Sequence, residues 1–253
     1  MARKNSKKVA SDASIDAEEI RQFDNLGEQW WNESGPMAPL HKLNPVRMDY
    51  IRRMIRGHYG LDDGIRCLQK LKIADIGCGG GLVAEPLCRM GATVTGVDAG
   101  KENIKVATAH AKKLGLDIEY LATSVEKLAA AGKKYDVVTA LEIIEHVADV
   151  GSFMKALCKI VKPGGLLIMS TLNRTPKSYL LGIVAAEYVL RWLPAGTHDW
   201  KKFLRPSELA AHLDAQGLEV NDIRGLVYNP LTRDFSLSKS DIEVNYLLTA
   251  SKS

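Results

Sequence analysis

The chain has 253 residues, 46% of them hydrophobic, enough to bury one sizeable α/β core and too many for a disordered protein. Its 34 basic and 30 acidic residues leave a net charge of +4, too even a mixture to form a nucleic-acid footprint, so nucleic acid is not an expected partner. Cys67, Cys78, Cys88 and Cys158 form no CxxC pair and follow no signal-peptide pattern; they read as reduced intracellular thiols, not as a disulfide framework or a zinc site.

Arg3, Lys4, Lys7 and Lys8 open the chain, but Asp12 and Asp16 come too soon after them for a transit peptide, so 1–15 reads as a flexible, solvated tail. From Asp16 to Leu26 apolar residues recur at helical spacing, and Trp30-Trp31 ends this first helix. Pro36, Pro39 and Pro45 break the next stretch, and a second helix is expected from about Val46 to Arg56.

After Leu71 short Val- and Ile-rich runs alternate with helical stretches, the pattern of βαβ units. Strands are expected at Lys72–Ile76, Thr93–Val97, Ile118–Leu121, Tyr135–Leu141 and Leu166–Ser170, with helices near Leu82–Met90, Lys101–Leu114 and Val150–Val161. Pro163-Gly164-Gly165 supplies the turn into the fifth strand. An insertion at 173–200 comes next, then a helix from Pro206 to Gln216, then strands at Leu218–Ile223 and Glu243–Ala250, an antiparallel pair at one sheet edge. The expected fold is α/β, a Rossmann-like doubly wound and mostly parallel sheet spanning 61–253, with N-terminal helices and a helical insertion after strand five.

Asp75-Ile-Gly77-Cys-Gly79-Gly-Gly81 falls between a strand and a helix, where glycines let the backbone turn tightly and approach a ligand. Asp98 ends the next strand, where a carboxylate can accept hydrogen bonds from both ribose hydroxyls. The spacing is GxGxG rather than the GxGxxG of dinucleotide sites. Asp75 reads equally well as a cofactor-site acid and as a carboxylate capping its own turn. These features resemble the class I S-adenosylmethionine-dependent methyltransferases. The resemblance gives Gly77 and Gly79 to the methionine end of the cofactor, Asp98 to its ribose, and Ser124-Val125 to its adenine.

Five further segments resemble one branch of that family, the ubiquinone-biosynthesis O-methyltransferases, which methylate two hydroxyls of a polyprenylated ring. They are Pro39-Leu-His-Lys-Leu-Asn-Pro-Val-Arg47, Ala140-Leu-Glu-Ile-Ile-Glu-His-Val147, Ser170-Thr-Leu-Asn-Arg174, Gly196-Thr-His-Asp199 and Tyr228-Asn-Pro230. The resemblance implies cofactor contacts for Arg47 and for Leu141, which stands where Met is commoner. Arg47 precedes the core sheet, so this contact requires residues 16–60 to fold over the site as a helical lid.

Glu142, Glu145 and His146 come directly after the fourth strand at the carboxyl edge, where open α/β sheets bind ligands. On a helical turn they would share one face and suit a divalent cation, with Mg²⁺ favoured by the oxygen ligands. Relatives that the chain resembles are associated with Mg²⁺ at the matching positions. His146 is also a candidate general base for deprotonating a phenol, a role that competes with metal ligation. The simpler alternative is an acidic helix start.

The implied activity is O-methylation of phenol or catechol hydroxyls on polyprenylated ubiquinone precursors at the cytoplasmic membrane face, with other quinone-biosynthesis proteins as partners. A soluble small-molecule acceptor and a non-catalytic scaffold are the rival readings. Ser178 to Leu193 is too apolar for a surface loop, yet at ~1.5 Å per residue it falls short of the ~30 Å hydrocarbon core. With Lys201, Lys202 and Arg205 behind it, the stretch 178–205 suits an anionic membrane surface. The remaining tryptophans, and His41, His58, His110 and His198, read as packing or surface residues.

Overall fold

The computed structural model describes residues 14–24, 26–181, 183 and 199–253. Most of the apolar stretch 178–193, and the tail up to residue 13, lie outside the described residues. Five parallel strands form where expected: β1 (Lys72–Ile76), β2 (Thr93–Asp98), β3 (Ile118–Ala122), β4 (Tyr135–Leu141) and β5 (Val161–Leu172). Every residue of β1 except Lys72, and every residue of β4 except Asp136, is buried. Continuous apolar runs of this kind belong to strands covered on both faces.

Three antiparallel strands, β6 (Leu218–Asn229), β7 (Asp234–Ser238) and β8 (Asn245–Lys252), extend the sheet to eight in the order β3-β2-β1-β4-β5-β8-β6-β7. The anticipated antiparallel pair is β6 with β8, but β8 lies inside the sheet against β5, and β7 forms the edge. Pro163-Gly164-Gly165 does not precede β5 as a turn. The strand begins earlier, and the proline and glycines form an irregularity between the Tyr135–Val161 and Val137–Leu166 pairs.

Helices α2 (Ala38–Tyr59) and α3 (Ala84–Arg89) pack on one face of the sheet, and α5 (Val125–Ala130), α6 (Val150–Ile160) and α8 (Pro206–Asp214) on the other. Helix α4 (Lys101–Lys113) rests on β2 and β3 and meets α1 (Ala17–Asp24), while α7 (Pro176–Ser178) comes after β5. The N-terminal region differs from expectation. Helix α1 stops at Asp24, and Trp30 and Trp31 belong to a separate 3₁₀ turn, Gly27–Trp31.

Pro45 does not break α2. An interior proline costs about 3 kcal/mol, whereas each buried aliphatic or aromatic side chain contributes roughly 1.5–3 kcal/mol. The helix buries Leu43, Tyr50, Ile51 and Ile55 on one face, so packing prevails. Tyr50 also ties α2 to the antiparallel strands, its hydroxyl donating to Asp222 Oδ2 at 3.0 Å and lying 2.8 Å from Thr249 Oγ1.

Strand order reverses between β1 and β4, whose neighbours β2 and β5 lie on opposite sides. Connections leaving their carboxyl ends therefore diverge and leave a crevice between them. The loop after β1 and the turn after β4 face each other across it: a Cβ added to Gly77 would lie 2.2 Å from Ile143 Cδ1.

Candidate active site

The loop after β1 turns through three left-handed glycines, Gly77 (φ 72°), Gly79 (φ 50°) and Gly81 (φ 95°), a conformation that costs a residue with a Cβ roughly 1–2 kcal/mol. Gly77 N and Cys78 N both donate to Val97 O, at 2.7 and 3.1 Å, and so fasten the loop to β2. One residue further on, Asp98 receives Gly79 N on Oδ2 at 2.9 Å, and Gly100 N and Asn103 Nδ2 on Oδ1 at 2.7 and 3.2 Å. Burial raises the pKa of this carboxyl, and the backbone donors oppose the rise.

A cavity of about 740 Å³ opens beside the loop and is bordered by Arg47, Gly77, Gly79, Asp98, Leu141, Glu142 and His146. Helix α2 brings Arg47 into it, 3% exposed, with Nη2 donating to Asn44 Oδ1 at 3.0 Å. Arg47 Nε has no hydrogen-bond partner among the described residues. Burial lowers the arginine's pKa, and the charges of Glu142 and Asp75 partly restore it. Asp75 accepts from Thr139 Oγ1 at 2.7 Å while its Oδ2 is orphaned. Burial pushes Asp75 up to about 6, against the pull of Thr139 and Arg47. Ser124 caps α5 by accepting Lys127 N, and Val125 beside it borders the cavity.

Glu142, Glu145 and His146 do not share one helical face as expected. Glu142 has φ 50° and the next residues turn as a 3₁₀ helix, Ile144–His146, so the three side chains diverge. Glu142 accepts from Ser170 Oγ at 2.6 Å and from Asn245 Nδ2 at 3.1 Å. Glu145 lies buried beneath the site, Oε2 accepting from Thr171 Oγ1 at 2.8 Å and Oε1 orphaned. Among the described residues no three His, Cys, Asp or Glu side chains are gathered as a cation-binding group. Glu145 is nonetheless raised well above the ordinary carboxyl range, chiefly by burial and then by the Glu142 charge.

His146 Nδ1 lies 3.0 Å from Glu19 Oε2, and Glu19 Oε1 accepts from Lys202 Nζ at 3.0 Å. Burial alone would lower the imidazole pKa, but the Glu19 bond and the charges of Glu145, Glu19 and Glu142 raise it on balance. In return the His146 bond brings Glu19 down to about 2.

A family profile for a methyltransferase domain matches residues 74–169. The ubiquinone biosynthesis O-methyltransferase of Azorhizobium caulinodans is 50% identical over 242 residues, covering 95% of both chains, and that of Dinoroseobacter shibae is 50% identical over 92% of this chain and 95% of its own. The chain belongs to the ubiquinone biosynthesis O-methyltransferase family. Its class is S-adenosylmethionine-dependent O-methyltransferase. The fold is also that of magnesium protoporphyrin IX methyltransferase from Synechocystis PCC 6803 with bound SAM, with a TM-score of 0.62 at 15% identity over 96% of this chain and 100% of that one.

Within this family member, three site residues escape sequence reasoning: Glu19, Trp30 and Asn103. Glu19 looks like an ordinary acid in the first turn of a helix, and the Trp pair looks like packing. Only the doubling of tryptophan beside three prolines hints that this segment docks somewhere.

The Glu19–His146 pair makes stability depend on pH in a definite way. Glu19, brought from 4.5 to about 2, stabilises the fold above pH 4.5 and loses that contribution as pH falls toward 2. His146, raised above 6.5, stabilises below pH 6.5 and loses its contribution as pH rises through the elevated value. Glu19→Gln should therefore cost most stability between about pH 4.5 and 6.5 and less on either side. Thermal unfolding of both proteins across pH 4 to 9 checks this, and a difference that stays flat with pH would contradict it.

Proposed function

We propose that the chain moves the methyl group of S-adenosylmethionine to phenol or catechol hydroxyls of a polyprenylated ubiquinone precursor. The observation that carries the cofactor half is a pair of orphaned polar atoms of opposite charge, Arg47 Nε and Asp75 Oδ2, on residues bordering the same cavity as Asp98. An amino acid joined to a ribose suits this arrangement. Asp75 and Arg47 complement the ammonium and carboxylate of a methionyl group. Gly77 and Gly79 admit its backbone-close approach, Asp98 takes the ribose hydroxyls, and Leu141 supplies apolar contact.

Transfer is an attack by the acceptor oxygen on the sulfonium methyl carbon, so the phenol must lose its proton before or during the step. His146 borders the cavity and is made more basic by Glu19, which suits it to take that proton. Glu142 and His146 border the same cavity and would be the residues to hold a divalent cation there, with His146 then a ligand in place of the base, while Glu145, turned toward Thr171, keeps the orphaned Oε1 that would favour a cation beside it. Bound there, Mg²⁺ would stabilise the phenolate as a Lewis acid.

The acceptor half rests on the family and on the rest of the cavity's lining, where Leu172, Leu181, Tyr228, Pro230 and Phe235 offer apolar surface to a prenylated ring. Residues 16–60 act as the lid that completes the site and 61–253 as the catalytic unit; the expected solvated tail does not reach residue 15, since Ser14 is buried, bonded to Glu126 and Ala148, and borders the cavity with Ile15. No helix among the described residues is long and apolar enough to cross a membrane. The stretch 178–205 is proposed to rest on the anionic inner face of the cytoplasmic membrane, where the substrate resides. Tyr179, Leu180 and Leu181 are about half exposed at its start. Ile183 is instead buried with Leu172 and Phe203, and Lys202 is paired with Glu19, so contact falls to the exposed residues and to Lys201 and Arg205.

Replacing Asp98 with Asn should weaken S-adenosylhomocysteine binding by about tenfold or more, since a charge-assisted hydrogen bond is worth roughly 1.5–3 kcal/mol. Titration calorimetry reads this directly, and unchanged affinity would remove Asp98 from the ribose role. Chelation should suppress turnover of a demethylated polyprenyl catechol and added Mg²⁺ should restore it, with Glu145→Gln needing more Mg²⁺ than wild type. Full turnover under chelation would leave His146 acting without a cation. Wild-type protein should cosediment with vesicles containing anionic phospholipid, and a Tyr179→Ser, Leu180→Ser double variant should lose this while keeping its cofactor affinity. Wild-type protein that ignores such vesicles at low salt would end the membrane proposal.

A further inference from the structure

Trp30 stands outside the sheet and outside every glycine or acid motif, yet it is 8% exposed and borders the same cavity as Asp98. Its indole lies against the glycine loop so closely that a Cβ on Gly79 would be 2.4 Å from Trp30 Cη2, and one on Gly80 2.5 Å from Trp30 Cβ. The ring occupies the space that side chains at those positions would need.

The indole nitrogen has a specific partner. Trp30 Nε1 donates to Asn103 Oδ1 at 2.8 Å, and Asn103 Nδ2 donates to Asp98 Oδ1 at 3.2 Å. Asp98 Oδ2 accepts Gly79 N at 2.9 Å, and Gly79 lies under the indole. The four residues close a ring around the carboxylate. Asn103 is 2% exposed, so its amide cannot turn to water for another partner.

This order of donors matters because an amide can present either its oxygen or its nitrogen. With Oδ1 engaged by the indole, Nδ2 faces the carboxylate. Without the indole N–H, a flip of the amide would set oxygen against oxygen at Asp98. Packing alone would be served by phenylalanine, whereas this circuit needs the N–H.

We infer that Trp30 is a positioning residue of the cofactor site: it fixes the Asn103 amide and thereby aims the Asp98 carboxylate at the ribose hydroxyls. The inference rests on the S-adenosyl cofactor reading of Asp98. It also assigns the N-terminal segment a share in cofactor affinity. His41 Nε2 lies 2.9 Å from Trp30 O, and Trp31 Nε1 donates to Gly80 O at 3.0 Å while its ring stacks on His110 at 3.6 Å, so the backbone carrying Trp30 is held on both sides.

The test is titration calorimetry with S-adenosylhomocysteine on wild type, Trp30→Phe, Asn103→Ala and the double variant, with thermal unfolding measured alongside. Trp30→Phe should raise Kd about threefold to tenfold, the effect of one neutral hydrogen bond. KM for S-adenosylmethionine should rise in parallel, with kcat within about twofold and KM for the phenolic acceptor unchanged. Because both residues act through one circuit, the double variant should bind no worse than the weaker single variant. Cofactor binding should also perturb tryptophan emission in wild type and in Trp200→Phe, and by less in Trp30→Phe, where only Trp31 remains on the glycine loop. Wild-type affinity in Trp30→Phe, or fully additive losses in the double variant, would overturn the inference. If Trp30→Phe proves unstable, Asn103→Ala decides alone, and its unchanged Kd is the overturning result. Wild-type protein that does not bind S-adenosylhomocysteine would instead overturn the cofactor reading together with this inference.

Discussion

A carboxylate half-buried at the end of β2 needs hydrogen-bond donors, and most of the site is arranged by where Asp98 finds them. Isolated in an apolar interior such a group would neutralise or leave. Two of its donors are main-chain amides, Gly79 N and Gly100 N, so the glycine loop must pass within hydrogen-bond reach. Gly79 reaches that place at φ 50°, and the β1–β2 register that pairs Ile76 with Val97 puts the loop beside the strand end. Glycines, register and acid are one constraint seen from three sides. A residue with a Cβ at Gly79 would both strain the loop and displace the indole above it.

Around that constraint the protein gathers charges that are only partly compensated. Arg47, Asp75 and Glu145 are each shifted first by burial and then by neighbouring charges, and each retains an orphaned polar atom. Each such atom costs about 1–3 kcal/mol in a folded protein, a penalty met by the apolar packing of α2, α3 and the central strands. Unsatisfied groups of both signs in one cavity are poor for stability and well suited to a ligand that carries both charges.

The parallel half of the fold was legible because its signals are local. Buried apolar runs mark β1, β2 and β4, and the glycine spacing with Asp98 marks the carboxyl edge of the sheet. What escaped depends on long-range contacts. Pro45 is tolerated only because Tyr50, Ile51 and Ile55 find a core to enter. β7 carries only Phe235 and Leu237 among polar residues and exists because β6 offers it an open edge. The expected common face for Glu142, Glu145 and His146 assumed a helix, whereas the left-handed Glu142 sends its side chain toward Ser170 and Asn245. Glu19 and Trp30 become site residues only when folding brings them to His146 and Asn103, which lie 127 and 73 positions further along the chain. No periodicity encodes such pairings.

The ends of the cavity proposed for donor and acceptor are built from different parts of the chain. Loops after β1, β2 and β4 border the end proposed to take the cofactor, and the fold as a whole is shared with a neighbour at 15% identity. Other lining residues are Leu172 at the end of β5, Tyr228 and Pro230 at and after the end of β6, Phe235 on β7, and Leu181 at the start of the insertion. Lys177 joins the start of the insertion to the loop before β8 through Asp241 and Glu243, at 2.8 and 3.0 Å. Gly225 on β6 packs against the backbone of that same loop so tightly that a Cβ would have no room. The antiparallel extension and the start of the insertion, at Lys177, are therefore packed together on the cavity. A fold arranged in this way can alter the acceptor it admits by changing its second half while the geometry that holds the methyl donor stays fixed.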